Sequence, residues 1–485
     1  MLEAQRERED KYEVDHDFAV PDLEETLPAG GRLEQATTTL DSVYYDTDDH
    51  DLFGHRVTLR RRAGGTDAGW HLKVPADKAR TEVRLPADDA DGIPAEMTDL
   101  VAGVAVDKPL RPVAMISTTR GTYRLFDAGG ILLAEVADDR VQATAIGDSA
   151  RASAWREIEV ELGEGGDEEL LQRIGERLTR GTARPSEWES KLSRTLAADT
   201  TSDLARADGT ARTVLLAYLD AQVEAIVAGD VWLRRGLDPI HSTRVAIRRF
   251  RSTLRVFRDL FDPDQRRRLD RELKWYAGAL GEVRDRQVQR ERFAGAVATL
   301  PVELVMGPVA ARIENDLLAE QHRSLDTVMD TLAGARYRDL VASLARWRTA
   351  PPLTDEDTAG EKAIKQAAGK ARRKAKKRLA TAVAVGDDTE LHRARKAAKR
   401  ARYAAELAAP VPGTKKAARK VKKYKKIQRV LGEHQDSVVA TGILRMLGAR
   451  AGTTPGENGF TFGLLYALEQ QNADNARAQA TRLVS

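Results

Sequence analysis

Three stretches in the first third of the chain place carboxylates at a spacing that a strand would gather on one face. In Glu7-Arg8-Glu9-Asp10-Lys11 the strand period of two aligns Glu7, Glu9 and Lys11. In Glu157-Ile158-Glu159-Val160-Glu161 it aligns three carboxylates and turns Ile158 and Val160 to the other side, and Glu135 and Asp139, four apart, also share a face. A single row of this kind is ordinarily the wet side of a half-buried sheet. Three rows in one small domain are different, because like charges on neighbouring strands repel unless cations lie between them. Carboxylate oxygens suit hard divalent cations such as Mg²⁺ or Mn²⁺, which leave coordination positions for phosphate and water. Basic residues follow the same alternation: Arg60 with Arg62, Lys73, Arg80 with Arg84, and Arg120 with Arg124. A sheet presenting both sets would hold a polyanion together with its metals. Hydrolysis of a terminal phosphoryl group needs charge neutralisation and an oriented water, and no covalent nucleophile.

A second set of chemistry-bearing residues lies on helical spacing. In IHSTRVAIRRFRSTLRVF, His241, Arg244, Arg248, Arg251 and Arg255 recur every three or four residues and fall within roughly 80° of one another at about 100° per residue. LHRARKAAKRARYAAEL repeats the row as His392, Arg395, Lys399 and Arg402, and the segments that follow add Lys274, Lys422 and Lys425. One offset of 151 superposes His241 on His392, Arg244 on Arg395, Arg251 on Arg402, Lys274 on Lys425 and Leu280-Gly281-Glu282 on Leu431-Gly432-Glu433, so a helical unit is duplicated. A row of like charges costs stability unless an anion compensates it. The same His opening both rows favours contact with phosphate oxygens, and sequence-independent nucleic acid is one such partner. Aromatic residues make up 5% of the chain and few accompany the basic row, which leaves little for base stacking.

Both sets need scaffolds, and the 485 residues predict two to four domains. The formal net charge of +3 hides a division: residues 1–200 hold 25 basic and 41 acidic side chains, the remainder 53 and 34. From Val43 to Leu162, short alternating segments separated by Gly, Asp and Pro predict a mainly antiparallel sheet or barrel, with a helix at Glu168 to Leu178. The polar, small stretch around Leu196 to Gly209 reads as a linker. The expected division is 1–198, a linker at 199–208, and an all-α part at 209–485 with breaks near Asp238-Pro239, Asp262-Pro263, Pro351-Pro352 and Pro410 to Gly413. The absence of Cys excludes disulfides, thiolate nucleophiles and Cys-bound zinc. No G-x-x-x-x-G-K-[ST] occurs, which argues against a P-loop nucleotidase. The acidic N-terminus does not read as a signal peptide and no apolar run is long enough to span a membrane, so a cytoplasmic location is expected.

In this order, Glu7-x-Glu9-x-Lys11, Leu59 to Arg62, His71-Leu72-Lys73, Arg80-Thr81-Glu82, Glu135 to Asp139, Trp155 to Leu162 and Ser190-Lys191 with Arg194 resemble the CYTH domain of the triphosphate tunnel metalloenzymes. The resemblance implies an α+β domain with an eight-stranded antiparallel tunnel barrel that hydrolyses inorganic triphosphate or short polyphosphate with Mg²⁺ or Mn²⁺. It implies metal ligands among Glu7, Glu9, Glu135, Asp139, Glu157 and Glu159. Glu157, Glu159 and Lys11 would be catalytic, and Lys11, Arg60, Arg62, Lys73, Arg80, Arg84, Arg120 and Arg124 would grip phosphate. The family often has Arg-x-Glu-x-Glu where this chain has Arg80-Thr81-Glu82-Val83-Arg84, so one acidic position is replaced by a base. The two His-x-x-Arg helices and Leu-Gly-Glu turns resemble the CHAD domain. That likeness implies a duplicated helical bundle binding polyphosphate through the basic residues listed above, and association with polyphosphate granules. Other activities compatible with these resemblances are a non-catalytic polyphosphate receptor and a nucleotide triphosphatase or cyclase.

Overall fold

The computed structural model describes residues 9–76, 79–86, 92–106, 108–147, 149–197, 211–354, 360–411 and 417–484. The chain divides into two compact units, Met1–Asp203 and Leu204–Ser485. The expected linker, 199–208, lies outside the described residues.

The first unit is built on one antiparallel sheet: β1 (Glu9–Val14), β2 (Arg32–Asp46), β3 (Thr58–Ala63), β4 (Gly69–Ala76), β5 (Ala79–Pro86), β6 (Arg111–Phe126), β7 (Leu132–Ala145), β8 (Arg151–Leu162) and β9 (Arg184–Pro185). The order is β5-β4-β3-β2-β6-β7-β8-β1-β9. Eight strands closed into a barrel were expected; among the described residues there are nine, and no strand pairing joins β5 to the other end. The edges explain this. β9 is two residues long and one is Pro185, opposite Tyr12, while Pro75 and Pro86 lie in β4 and β5. A proline has no N–H with which to extend a ladder.

Register then decides which side chains share a face. The pairings Lys11↔Glu159, Asp139↔Glu157, Arg120↔Asp139, Arg124↔Glu135, Tyr44↔Arg60, Arg60↔His71 and His71↔Arg84 put all these residues on one side of the sheet. The alternate residues Tyr12, Val14, Val136, Ile158 and Val160 fill an apolar core on the other side. Leu170, Ile174 and Leu178 of an amphipathic helix pack onto that core. Each such side chain contributes about 1.5–3 kcal/mol on full burial.

Among the described residues, four α-helices accompany the sheet: α1 (Asp51–Gly54), α2 (Ala95–Ala105), α3 (Glu168–Arg180), which is the amphipathic one, and α4 (Lys191–Leu196). Asp167 caps α3 by accepting from Leu170 N at 2.8 Å. A Ser190/Ser193 capping box starts α4. Leu192 and Leu196 of α4 join Tyr44, Ile116, Val141 and Trp155 in a second apolar cluster. The charged face therefore ends in a hydrophobic plug, and α4 carries Lys191 onto it.

The second unit is helical among its described residues: α5 (Ala211–Arg234), α6 (Ile240–Val256), α7 (Pro263–Ala298), α8 (Val309–Ala333), α9 (Ala335–Thr349), α10 (Glu361–Val385), α11 (Asp388–Leu407), α12 (Ala417–Ala451) and α13 (Phe460–Thr481). Asp262 caps α7 by accepting from Gln265 N, and Pro263 occupies its first turn, where no N–H is missed. Shifted by 151, α6 falls on residues 391–407 inside α11, and α7 falls on 414–449 beside the 417–451 of α12.

The α5–α6 crossing depends on a missing side chain. A Cβ at Gly229 would stand 3.1 Å from Thr243 Cβ and collide with its hydroxyl, which is buried and donates to Pro239 O at 2.9 Å. Gly229→Ala should therefore destabilise the protein by about 1–3 kcal/mol through overpacking. Urea unfolding checks this, and the loss should shrink when Thr243→Ala is combined with it.

Candidate functional site

On the charged face the structure brings Asp139, Glu157 and Glu159 together, with one oxygen of each within 4.8 Å of the others. Asp139 is 0% exposed and Glu157 4%. Charges so buried demand partners. Lys191 Nζ lies 2.8 Å from Asp139, 2.7 Å from Glu157 and 3.0 Å from Glu159. Arg120 donates to Asp139 through Nε and Nη2 at 2.8 and 2.6 Å, and to Glu159 at 2.9 Å. Lys11 bridges Glu159 at 3.0 Å and Glu9 at 3.3 Å. Trp155 Nε1 donates to Glu157 at 2.6 Å and fixes its carboxylate.

These contacts set the protonation states. Burial alone would raise the Glu159 carboxyl, but Lys191, Lys11 and Arg120 hold it well below the usual range. Burial would lower Lys191, yet Glu159, Asp139 and Glu157 push it upward, and Arg120 is raised by Asp139 and Glu159 against the same penalty. The donor set is all carboxylate oxygen, and an ammonium within 3.0 Å of all three groups marks a position that demands cationic charge. The residues fit a hard divalent cation. Of the other expected ligands, Glu9 pairs with Lys11, Glu135 accepts from Arg124 Nε at 2.9 Å, and Glu7 lies outside the described residues.

The opposite end of the same face is basic. Arg60 donates to the Tyr44 hydroxyl at 3.2 Å and reaches Glu82 at 3.5 Å, and Arg62 pairs with Asp67 at 2.6 Å. His71 is buried between two acceptors, the Glu82 carboxylate at 3.0 Å from Nδ1 and the Asp67 carbonyl at 2.7 Å from Nε2. Arg84 Nε also donates to Glu82 at 2.7 Å. Burial would raise Glu82, but His71, Lys73 and Arg60 take it well below its ordinary value. Tyr44 is lowered, because the neighbouring Arg60, Arg62 and Lys191 outweigh its burial. Lys73 faces Thr58 and Glu82 in register; Arg80 occupies the same row, and its side chain lies outside the described residues.

In the helical unit the two His-Arg helices face each other. Arg248 Nε of α6 donates to Tyr403 Oη of α11 at 3.0 Å, and Arg249 pairs with Glu406 at 3.2 Å. Arg244 donates to Gly281 O at 3.1 Å and to Asp285 at 3.0 Å. Its counterpart Arg395 lies 3.6 Å from Asp436, and a Cβ at Gly432 would be 3.7 Å from its guanidinium. Arg251 and Arg255 share Asp270, and Arg402 pairs with Glu406 at 2.7 Å. His392 Nδ1 lies 2.6 Å from Gln435 Oε1. Burial lowers His241 and His392, and cationic neighbours on each helix lower them further. Lys399 is pulled down to about 7 by burial and by Arg395 and Arg248. Lys274, Lys422 and Lys425 are exposed and have no ion pair among the described residues.

Residues 5–196 match the family model of the CYTH domain and residues 217–445 that of the CHAD domain. The chain belongs to the proteins that carry a CYTH domain followed by a CHAD domain. It is 36% identical over 500 aligned residues to the uncharacterized protein Rv2226 of Mycobacterium tuberculosis, covering 98% of this chain and 94% of that one. Among solved structures it is similar to PptA from Streptomyces chartreusis, with 21% identity, a TM-score of 0.47, and coverage of 57% of this chain and 98% of that one. A CHAD domain from the plant Ricinus communis shares 25% identity at a TM-score of 0.43, covering 55% and 90%. No helix among the described residues is long and apolar enough to cross a membrane.

Lys191 is the principal site residue that spacing along the strands did not single out. It sits on a short helix well past β7 and β8, whose carboxylates it joins, and only Ser190-Lys191 with Arg194 signalled it, through the family resemblance. Lys191→Met should leave three buried carboxylates short of a cation and destabilise the protein by about 3–5 kcal/mol. Thermal unfolding should show the loss, and millimolar Mg²⁺ should restore more stability to the variant than to the wild type. In the wild type, the contribution of the depressed Glu159 is present above the ordinary carboxylate range and is lost as pH falls below it.

Proposed function

We propose that the first unit is a metal-dependent triphosphatase acting on inorganic triphosphate or a short polyphosphate. The observation that carries this reading is the single sheet face with three clustered carboxylates at one end and Arg60, Arg62, Lys73 and Arg84 at the other. Arg60, Arg62 and Lys73 would bind the phosphate chain, and Arg120 and Lys11, both within reach of Glu159, would meet the oxygens nearest the acidic end. Asp139, Glu157 and Glu159 would hold Mg²⁺ or Mn²⁺, which would neutralise phosphate charge and lower the pKa of a bound water. Glu157, held by Trp155, would accept a proton from the attacking water. Phosphate release from tripolyphosphate by the full chain should require Mg²⁺ or Mn²⁺. It should fall at least a hundredfold in Glu157→Gln or Glu159→Gln, while Arg60→Ala should mainly raise KM.

One observation favours a second reading. Each carboxylate of the trio already has a Lys or Arg partner within 3.0 Å, an arrangement that needs no metal. A non-catalytic receptor would bind tripolyphosphate without releasing phosphate. ATP and long polyphosphate assayed beside it separate both readings from a nucleotide triphosphatase or cyclase.

The second unit we assign to polyphosphate binding through the cleft lined by His241, Arg244, Arg248, His392, Arg395 and Lys399, with polyphosphate granules in the cytoplasm as its place of action. Arg395 Nε is buried without a hydrogen-bond partner, and Arg248 and Lys399 repel each other in the absence of an anion. A polyanion would raise Lys399, His241 and His392 together, so binding takes up protons. Affinity for long polyphosphate should therefore rise as pH falls from 8 to 6, by up to about tenfold per pH unit for each proton taken up. Lys399→Arg should flatten that dependence by about one proton in calorimetric titrations and tighten binding at pH 8.

A further inference from the structure

The basic residues of the helical unit fall into two populations. Many of those on α6 and α11 are tied to carboxylates, Arg244 to Asp285, Arg251 and Arg255 to Asp270, Arg395 to Asp436 and Arg402 to Glu406, while Arg248 reaches the Tyr403 hydroxyl. Those in the middle of α10 are not. Lys370, Arg372, Arg373, Lys374, Lys376 and Lys377 are all exposed, and none has an ion pair among the described residues. The acidic partners on α10 and α11 serve other bases, Glu361 that of Lys365 and Glu390 those of Arg378 and Arg393. Like charges meet at i,i+4 in Lys370–Lys374, Arg372–Lys376 and Arg373–Lys377, and each such pair weakens a helix by about 0.2–0.5 kcal/mol. Among the described residues no carboxylate pairs with these six cations.

The shape of the charge narrows the partner. Ile364, Ala375, Leu379 and Ala382 form one buried stripe, with the last three packed against α11. At about 100° per residue the six cations cover roughly 200° of the remaining circumference. A flat membrane surface or a single-file polyanion touches one side of a helix at a time. The major groove of a nucleic-acid duplex, about 12 Å wide, admits an α-helix and presents phosphates of two strands on either side of it. The six exposed positions include no apolar or aromatic side chain for lipid insertion or base stacking. α10 is 25 residues long, about 37 Å at 1.5 Å per residue, which matches about one turn of B-DNA.

We propose that the outer face of α10 is a second polyanion surface, separate from the α6–α11 cleft, that binds double-stranded DNA through its phosphates without sequence preference. Fluorescence anisotropy of the full chain with a labelled duplex of about 30 base pairs tests it. Lys370→Glu, Arg373→Glu and Lys377→Glu combined should weaken duplex binding at least tenfold and reduce the slope of log K against log salt by about 3. Retention of long polyphosphate should change by less than about twofold. The corresponding triple Gln variant, checked for helix content by circular dichroism, should move duplex affinity in the same direction and carries the test if charge reversal unfolds the protein. Unchanged duplex affinity in the variants would overturn the proposal. So would equal affinity for a single strand of the same length, an equal loss of polyphosphate retention, or binding to phosphatidylserine vesicles that α10 substitution abolishes while duplex binding persists. Because no turnover is measured, duplex binding and phosphohydrolase activity can fail independently.

Discussion

Asp139 and Glu157 are almost completely removed from water, Glu159 is nearly so, and all three lie on adjacent strands of one sheet face. Such a group of carboxylates does not hold together by itself, since desolvation and mutual repulsion act in the same direction. Much of the first unit is arranged around that constraint. Arg120 comes from the neighbouring strand β6, Lys11 from β1 on the other side, and Lys191 from a helix whose own apolar residues plug the end of the face. Lys191 answers that electrostatic demand with one ammonium in contact with all three carboxylates.

The basic end obeys the converse rule. Arg60 and Arg84 would repel each other if Glu82 were not between them, and Glu82 also touches His71. The replacement of an acidic position by Arg84 therefore has a definite consequence. The remaining carboxylate, Glu82, is committed to holding bases in place, and the clustered carboxylates lie at the far end. The face is polarised along its length, with cation demand at one end and anion demand at the other.

How much of this was legible in the amino-acid sequence follows from the range of each signal. Strand alternation is local, so the rows Glu157-Glu159-Glu161, Arg60-Arg62 and Arg120-Arg124 could be read directly, and register then placed them on one side. Helical period and the offset of 151 likewise exposed His241, Arg244, His392 and Arg395. What was not legible depended on contacts across long stretches of chain. Lys191 meets Asp139 over 52 positions, and nothing in its own neighbourhood announces that meeting. His71 and Tyr44 are ordinary in composition and matter only because particular groups end up beside them. Strand count also escaped, because a two-residue β9 leaves almost no periodic trace.

In the helical unit, spacing revealed the charges but not their compensation. Arg251 and Arg255 look as open as Arg244 and Arg248 when read along the helix, yet both close on Asp270 of α7, while Arg248 reaches a tyrosine hydroxyl. The difference is one of geometry as well as charge. A guanidinium can fork between a carboxylate and a carbonyl, as Arg244 does with Asp285 and Gly281, and so be oriented before any ligand arrives. A lysine ammonium is a point charge on a flexible stem, and Lys399 shows what happens when one is packed among such arginines: burial and the neighbouring guanidinium groups pull it down to about 7. The arginines are fixed by their partners, whereas the charge of the lysine packed beside them is set by burial and by those arginines.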